Sequence, residues 1–231
     1  MVEDHAGNGN GLDLFALPVN SEPACDRRQL HCTIIGLGTL GRHLAFQLLH
    51  LGARRLQLID GATVDIAHAA AQGYSLMEVG CPVVDALAHR LRAAKPDIEI
   101  LVIRDHWRPV DAVSPVIFCA DVSVAARVEI WRHVSWRTEF WVDGRVNLRA
   151  IQLSIVTSAA ARLAYEASLS AIQPQGAGCG ACDPLTVYAF TAAGMMAEQW
   201  ARWLNRQPID DEVIFDLATG ELVVRAPSNL N

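Results

Sequence analysis

Short apolar runs alternate along the chain with longer segments whose apolar residues recur every three or four positions. The first run, residues 33–35, has the β-branched composition of a buried strand. A helical pattern follows and ends at Gly52, and residues 55–60 then form a second apolar run. The apolar positions of this first helix are Leu40, Leu44, Leu48 and Leu51. This order predicts a β-strand, an α-helix and a second strand.

The same alternation continues to the end of the chain. It predicts strands at 98–103, 116–121, 139–143 and 150–156, helices at 82–94 and around Val128, Trp131 and Val134, a long helix at 186–204, and a closing hairpin at 213–217 and 222–225. Strands that alternate with helices favour parallel crossovers. We therefore predict an α/β, Rossmann-like, mainly parallel sheet with flanking helices and antiparallel strands toward the C-terminus. Residues 1–29 are interpreted as a flexible leader, and residues 30–231 as one domain.

Three glycines lie between the first strand and the first helix. Gly36, Gly38 and Gly41 have the G-x-G-x-x-G spacing, and the second strand ends at Asp60, nineteen residues after Gly41. In a Rossmann unit such glycines allow a tight turn, close approach of a phosphate and close packing of the helix on the strand. A carboxylate at the end of the second strand accepts hydrogen bonds from ribose hydroxyls. The motif predicts nucleotide binding by Gly36, Gly38, Gly41 and Asp60.

Composition narrows the class of protein. The 231 residues carry a net charge of −6 and are 52% hydrophobic, and charged or polar residues interrupt every apolar run before it reaches bilayer length. A net negative charge with scattered basic residues argues against nucleic acid as the main partner. We expect no membrane span and a cytoplasmic location. Among the six cysteines, Cys32 and Cys119 fall inside apolar strand patterns, where a buried free thiol is expected.

An ordered series of motifs resembles the ThiF family, which contains the E1-like, ubiquitin-activating-type enzymes. The series begins with the glycine motif at 36–41 and Asp60-Gly-Ala-Thr-Val64. It continues with Gln72-Gly-Tyr74, Ala120-Asp121 followed by Arg127 and Trp131, Asp143-Gly-Arg145 and Tyr165-Glu166. The resemblance covers about residues 30–205. It implies a mainly parallel sheet that binds ATP with magnesium and adenylates the C-terminal carboxylate of a ubiquitin-like or sulfur-carrier protein. It also implies a homodimer, or a heterodimer with a ThiF-like paralogue.

Compared residue by residue with the family, the site keeps some of the expected side chains and lacks others. Asp60 matches the acid that holds the ribose, and Asp121 matches the acid associated with magnesium and the reacting phosphate. The family also expects an asparagine at 68, an arginine at 71 and a lysine near 83, and this chain has His68, Ala71 and Val83. Loss of one such fixed charge costs on the order of 3–4 kcal/mol of transition-state stabilisation. The phosphate site is therefore predicted to be degenerate.

Other arginines are candidates to replace the lost charges. Arg42 lies just inside the first helix, and Arg145 follows the predicted fifth strand. Arg27 or Arg28 of an N-terminal arm could also reach a partner subunit's site. We assign catalytic roles to Asp121, Arg42 and Arg145 as hypotheses, and the alternative for each arginine is a solvated surface charge.

Cys179 and Cys182 have the spacing of half a zinc site. No second pair follows, so we predict that one chain alone holds no four-cysteine zinc site. A site shared between subunits and a redox or sulfur-carrying role stay open, and the absence of any such role is the leading interpretation.

Three functions remain. The first is an ATP-binding, ThiF-like protein with weak or partner-completed adenylyltransferase activity. The second is a non-catalytic scaffold that keeps the fold and acts in a dimer. The third is an NAD-binding oxidoreductase, because the glycine motif and Asp60 suit NAD equally well.

Overall fold

The computed structural model of the chain describes residues 31–226, apart from residues 67, 68, 70, 71, 148 and 172–184. The leader predicted for residues 1–29 and the pair Cys179 and Cys182 lie outside these residues. The described strands are β1 (His31–Ile35), β2 (Arg55–Ile59), β3 (Glu99–Ile103), β4 (Val116–Cys119), β5 (Phe140–Val146), β6 (Ala150–Val156), β7 (Glu212–Asp216) and β8 (Glu221–Arg225). The described helices of two or more turns are α1 (Thr39–His50), α2 (Val83–Ala94), α3 (Val124–Val134), α4 (Ala159–Ala171) and α5 (Leu185–Leu204).

All eight strands belong to one sheet with the order β3-β2-β1-β4-β5-β6-β7-β8. The pairs from β3 to β5 are parallel, and those from β5 to β8 are antiparallel. The predicted fold class is therefore confirmed. Because β1 lies between β2 and β4, the carboxyl ends of these three parallel strands meet at one edge of the sheet, which is where α/β folds bind ligands.

Helices cover both faces of the sheet. On one face α1, α2 and α5 pack through buried side chains that include Leu44, Leu87 and Trp200. On the other face α3 and α4 pack through Trp131 and Tyr165 against Trp141 of β5. The central strands are consequently buried on both sides, which explains their continuous apolar runs.

The structure corrects the sequence prediction at two places near the candidate site. Strand β5 does not end at Asp143 but continues to Val146, so Arg145 lies inside the strand rather than after it. The reason is antiparallel pairing with β6, in which Gly144 faces Leu153 and Arg145 faces Gln152. Helix α4 was not predicted, although it carries Tyr165.

Helix α5 is buried along its inner face, through residues such as Met196 and Trp200. Near its N-terminal end, however, Val187 is 61% exposed and Phe190 is 41% exposed. In the described part of the chain, no helix has both the length and the apolar character that a bilayer span requires.

Candidate nucleotide site

The turn between β1 and α1, together with the first turn of α1, can be built only from glycine at the three motif positions. Gly36 has φ +89°, a conformation that other residues rarely adopt. A Cβ at Gly41 would lie 1.9 Å from the carbonyl oxygen of Gly36. A Cβ at Gly38 would lie 2.8 Å from Cγ of Asp121. The glycines therefore serve tight packing as well as the turn, and Asp121 occupies the space that the missing side chain of Gly38 leaves.

Asp60 follows β2 and holds the turn from one side. Its Oδ2 accepts a hydrogen bond from the amide of Leu37 at 2.6 Å, and its Oδ1 accepts one from the amide of Ala62 at 2.7 Å. Each carboxylate oxygen has a second lone pair. Asp60 can thus accept hydrogen bonds from a diol while it stays fixed to the turn.

Asp121 follows β4 and holds the turn from the other side. Its Oδ2 accepts a hydrogen bond from the amide of Gly41 at 2.8 Å. Asp121 as a whole residue is exposed, but its carboxyl group packs against Gly38 and Gly41. Desolvation of this group raises its pKa to about 6, and the negative charge of Asp60 adds to the rise, while the bond from Gly41 and the charge of Arg127 oppose it.

Together the two carboxylates bracket the N-terminus of α1. The free amides and the dipole of a helix N-terminus attract anions such as phosphate. In this structure the anion at that position is the protein's own Asp121. A phosphate that binds here must share the amides with Asp121, or a cation must bind between the phosphate and the Asp121 carboxylate.

A buried charge network lies beside Asp121. Asp143 is fully buried and receives hydrogen bonds from Arg127, from Nε of Arg145 at 2.9 Å and from the hydroxyl of Tyr165 at 2.9 Å. Burial raises the pKa of Tyr165, so its hydroxyl stays protonated and donates. The network connects β5, α3 and α4, and Arg127 also donates to Ala120, the residue after β4. Sequence reasoning named Arg127 only through the resemblance, because no local pattern pairs it with Asp143 of the next strand.

The comparisons with known proteins identify the family. The ThiF family model matches residues 18–206. The chain belongs to the ThiF family. A search among curated proteins found no significant match.

Solved structures support the ThiF-type fold. A crystal structure of PaaA superposes with a TM-score of 0.68 at 17% identity, over 86% of this chain and 64% of that chain. E. coli MccB in complex with AMPCPP and MccA superposes with a TM-score of 0.69 at 12% identity, over 88% of this chain and 66% of that one. E. coli MccB with ATP superposes with a TM-score of 0.65 at 10% identity, over 86% of this chain and 64% of that one. The chain thus spans slightly less than two thirds of these proteins.

Arg42 of α1 lies against Gly73 and Tyr74, in the segment between β2 and α2. It is only 3% exposed, donates from Nη2 to the carbonyl of Gly73 at 2.7 Å and lies 4.0 Å from the ring centre of Tyr74. Its Nε and Nη1 have no hydrogen-bond partner among the described residues. Burial lowers its pKa, but a guanidinium remains charged. Arg42 thus brings a buried charge with two unpaired donors to the segment that follows β2.

The other ThiF-family positions do not supply positive charge in the described residues. Val83 begins α2 and is buried and apolar. His68 and Ala71 lie outside the described residues. Arg145 is largely buried, with its Nη2 2.7 Å from Asp143, a carboxylate that it shares with Arg127. Of the two predicted replacements, Arg145 is paired with a carboxylate, and Arg42 is paired with none in the described residues.

Two cavities border other parts of the molecule. One of about 430 Å³ lies between α3 and α4 beside Trp131 and Glu166. The other, of about 550 Å³, lies between α5 and the β7–β8 hairpin. Neither borders the glycine turn. No cluster of three metal-ligating side chains occurs within the described ranges, and the cysteine pair at 179 and 182 falls outside them.

Proposed function

We propose that this ThiF-family protein binds a magnesium–ATP complex at the glycine turn and transfers the adenylyl group to a terminal carboxylate. The observation that carries the proposal is the pair of carboxylates, Asp60 and Asp121, each hydrogen-bonded to an amide of the same turn at the N-terminus of α1. The solved MccB structures, one with ATP and one with AMPCPP and MccA, support a nucleotide as a ligand.

The roles follow from the geometry. Asp60 accepts the ribose hydroxyls with the lone pairs that Leu37 and Ala62 leave free. Asp121, when ionised, provides oxygen ligands for a magnesium ion, which is a hard cation that prefers carboxylates and phosphates. The bound magnesium would supply the charge that lets a phosphate approach a carboxylate already bonded to Gly41.

Phosphate stabilisation is the weaker part of the site. Arg42 has two free donors close to the loop after β2, and Arg145 is a second candidate once it turns from Asp143. Arg27 or Arg28 of a partner subunit could complete the site in a homodimer or a heterodimer with a ThiF-like paralogue. We expect slow turnover by this chain alone, since adenylation requires fixed positive charge around the α-phosphate and the leaving pyrophosphate.

Thermal denaturation with ligands tests the binding step. Millimolar ATP with magnesium should raise the melting temperature, and NAD should not, because a ligand that binds only the folded state stabilises it by an amount that grows with the logarithm of its concentration relative to Kd. Stabilisation by NAD alone would favour the oxidoreductase. If neither ligand raises the melting temperature, the nucleotide proposal is wrong.

Exchange of labelled pyrophosphate into ATP tests the chemical step. A ubiquitin-like or sulfur-carrier protein, or a peptide with a free C-terminal carboxylate, should support exchange, and the same peptide with a C-terminal amide should not. A mixture with a ThiF-like paralogue checks for completion of the site by a partner.

A non-catalytic scaffold is the second candidate. The buried apolar Val83 at the expected lysine position and the engagement of Arg145 by Asp143 favour it. Stabilisation by ATP without pyrophosphate exchange, alone or with the paralogue, would establish this function instead.

A further inference from the structure

The guanidinium of Arg127 holds the peptide groups on both sides of Asp121. Its Nη2 donates to the carbonyl of Ala120 at 2.6 Å, and its Nε donates to the carbonyl of Val122 at 3.2 Å. These carbonyls belong to the residues immediately before and after Asp121. Arg127 therefore fixes the backbone from which the Asp121 side chain projects toward α1.

The same guanidinium is anchored at its other end. Its Nη1 donates to the carbonyl of Gly144 at 3.2 Å and to the carboxylate of Asp143. Asp143 is in turn held by Arg145 and Tyr165, and the ring of Tyr165 packs edge-on against Trp131 at 4.9 Å. Because these groups are buried, the guanidinium has one arrangement that satisfies all of its acceptors.

We propose that Arg127 is a positioning residue that holds the Asp121 carboxylate on the N-terminus of α1. It acts through the backbone that follows β4 and need not touch the nucleotide. The role in catalysis rests on the proposed function, because it assumes that Asp121 serves the magnesium and phosphate. The positioning itself can be measured without any ligand.

Lysine is the discriminating substitution. A lysine at 127 keeps a positive charge near Asp143, but its single ammonium group cannot reach carbonyls on both sides of Asp121 as a planar guanidinium does. Arg127→Lys should therefore release Asp121 while the charge of the buried network is preserved.

The amide of Gly41 reports on the position of Asp121 in the ligand-free protein. In Arg127→Lys, amide NMR should show a shifted Gly41 resonance and hydrogen exchange at least about tenfold faster, as expected when a local hydrogen bond opens more often. The amide of Leu37, which donates to Asp60, should change little. An unchanged Gly41, or equal changes at Gly41 and Leu37, would overturn the proposal.

Arg202→Lys is the matched control. Arg202 forms an ion pair with Asp210 at 2.6 Å on α5, away from the glycine turn, so this variant should leave Gly41 unchanged. If Arg127→Lys does not fold by circular dichroism, Tyr165→Phe replaces it, because it removes only the hydroxyl bonded to Asp143. A smaller shift of Gly41 in the same direction supports the proposal, and an unchanged Gly41 contradicts it.

A double-mutant cycle separates the positioning role from the proposed function. Arg127→Lys should weaken binding of ATP with magnesium about tenfold in the wild type and in Asp60→Asn, but by less than about twofold in Asp121→Asn, because non-additivity marks residues that act through one another. Equal loss in all three backgrounds would show that Arg127 does not act through Asp121. If the wild type binds no nucleotide, the proposed function fails, and the Gly41 amide still decides the role of Arg127.

Discussion

The amide of Gly41 donates a hydrogen bond to the carboxylate of Asp121 at 2.8 Å, across 80 positions of sequence. This contact places a negative side chain on the positive end of α1, where a phosphate would otherwise bind. A nucleotide at this turn must therefore arrive with a cation or meet a protonated Asp121.

Asp60→Ala should weaken binding of ATP with magnesium about tenfold to a hundredfold. The substitution removes the acceptor for the ribose hydroxyls, and a hydrogen bond to a charged group contributes roughly 1.5–3 kcal/mol. Isothermal titration calorimetry measures the change. Asp97→Ala is the control, since Asp97 is an exposed acid before β3. If Asp60→Ala and the wild type bind ATP with magnesium equally tightly, Asp60 does not contact the nucleotide.

Gly41→Ala should lower the free energy of unfolding by about 3 kcal/mol or more, because its Cβ would collide with the backbone oxygen of Gly36 at 1.9 Å. Gly194→Ala in α5 is the matched control. A Cβ there meets only Gln47, at 3.7 Å, so alanine should stabilise the helix by up to about 1 kcal/mol. Urea denaturation compares the two variants, and similar effects of both would contradict the packing described for the turn.

The stability of the protein should depend on the pH between about 4 and 6 through Asp121. Its pKa rises from the ordinary 3.8 to about 6 in the folded state, mainly by desolvation. The folded state then binds this proton more tightly than the unfolded state, so this contribution to the free energy of unfolding falls as the pH rises through that window and is level above it. Denaturation of the wild type and Asp121→Asn at several pH values measures the difference. If the free energy of unfolding of the wild type relative to Asp121→Asn rises with pH in this window, the pKa of Asp121 is not raised in the folded state.

Arg42→Met should reduce the affinity for ATP with magnesium about tenfold, because methionine keeps part of the packing on Tyr74 but removes the free donors at Nε and Nη1. Calorimetric titration with ATP gives the affinity, and thermal denaturation without ligand gives the structural cost. Arg54→Met, at an exposed arginine, is the control. A lower melting temperature with unchanged affinity would assign Arg42 to the support of the loop at Gly73 alone.

The roles of Asp60 and Arg145 show how far sequence reasoning reached into the site. The first strand, the glycine turn, α1 and the acid after β2 were predicted correctly in order and type, because all lie within about thirty residues and follow local periodicity and turn chemistry. Arg145 was expected to follow the fifth strand, and the structure places it inside β5 with its charge on Asp143. The antiparallel partner β6 decides this, and no pattern around Arg145 indicates it.

The sequence by itself determined the α/β class, the glycine turn that excludes every larger side chain, and the acid at the end of β2. Only the tertiary structure decided that the carboxylate of Asp121 accepts a hydrogen bond from Gly41 and that Arg127 donates to the backbone next to Asp121. It also decided that Arg145 is paired with Asp143, and that Nε and Nη1 of Arg42 have no hydrogen-bond partner among the described residues. The physical reason is that backbone propensity and amphipathic spacing are encoded locally. Contacts between distant residues arise only once the order of strands in the sheet sets β1 between β2 and β4.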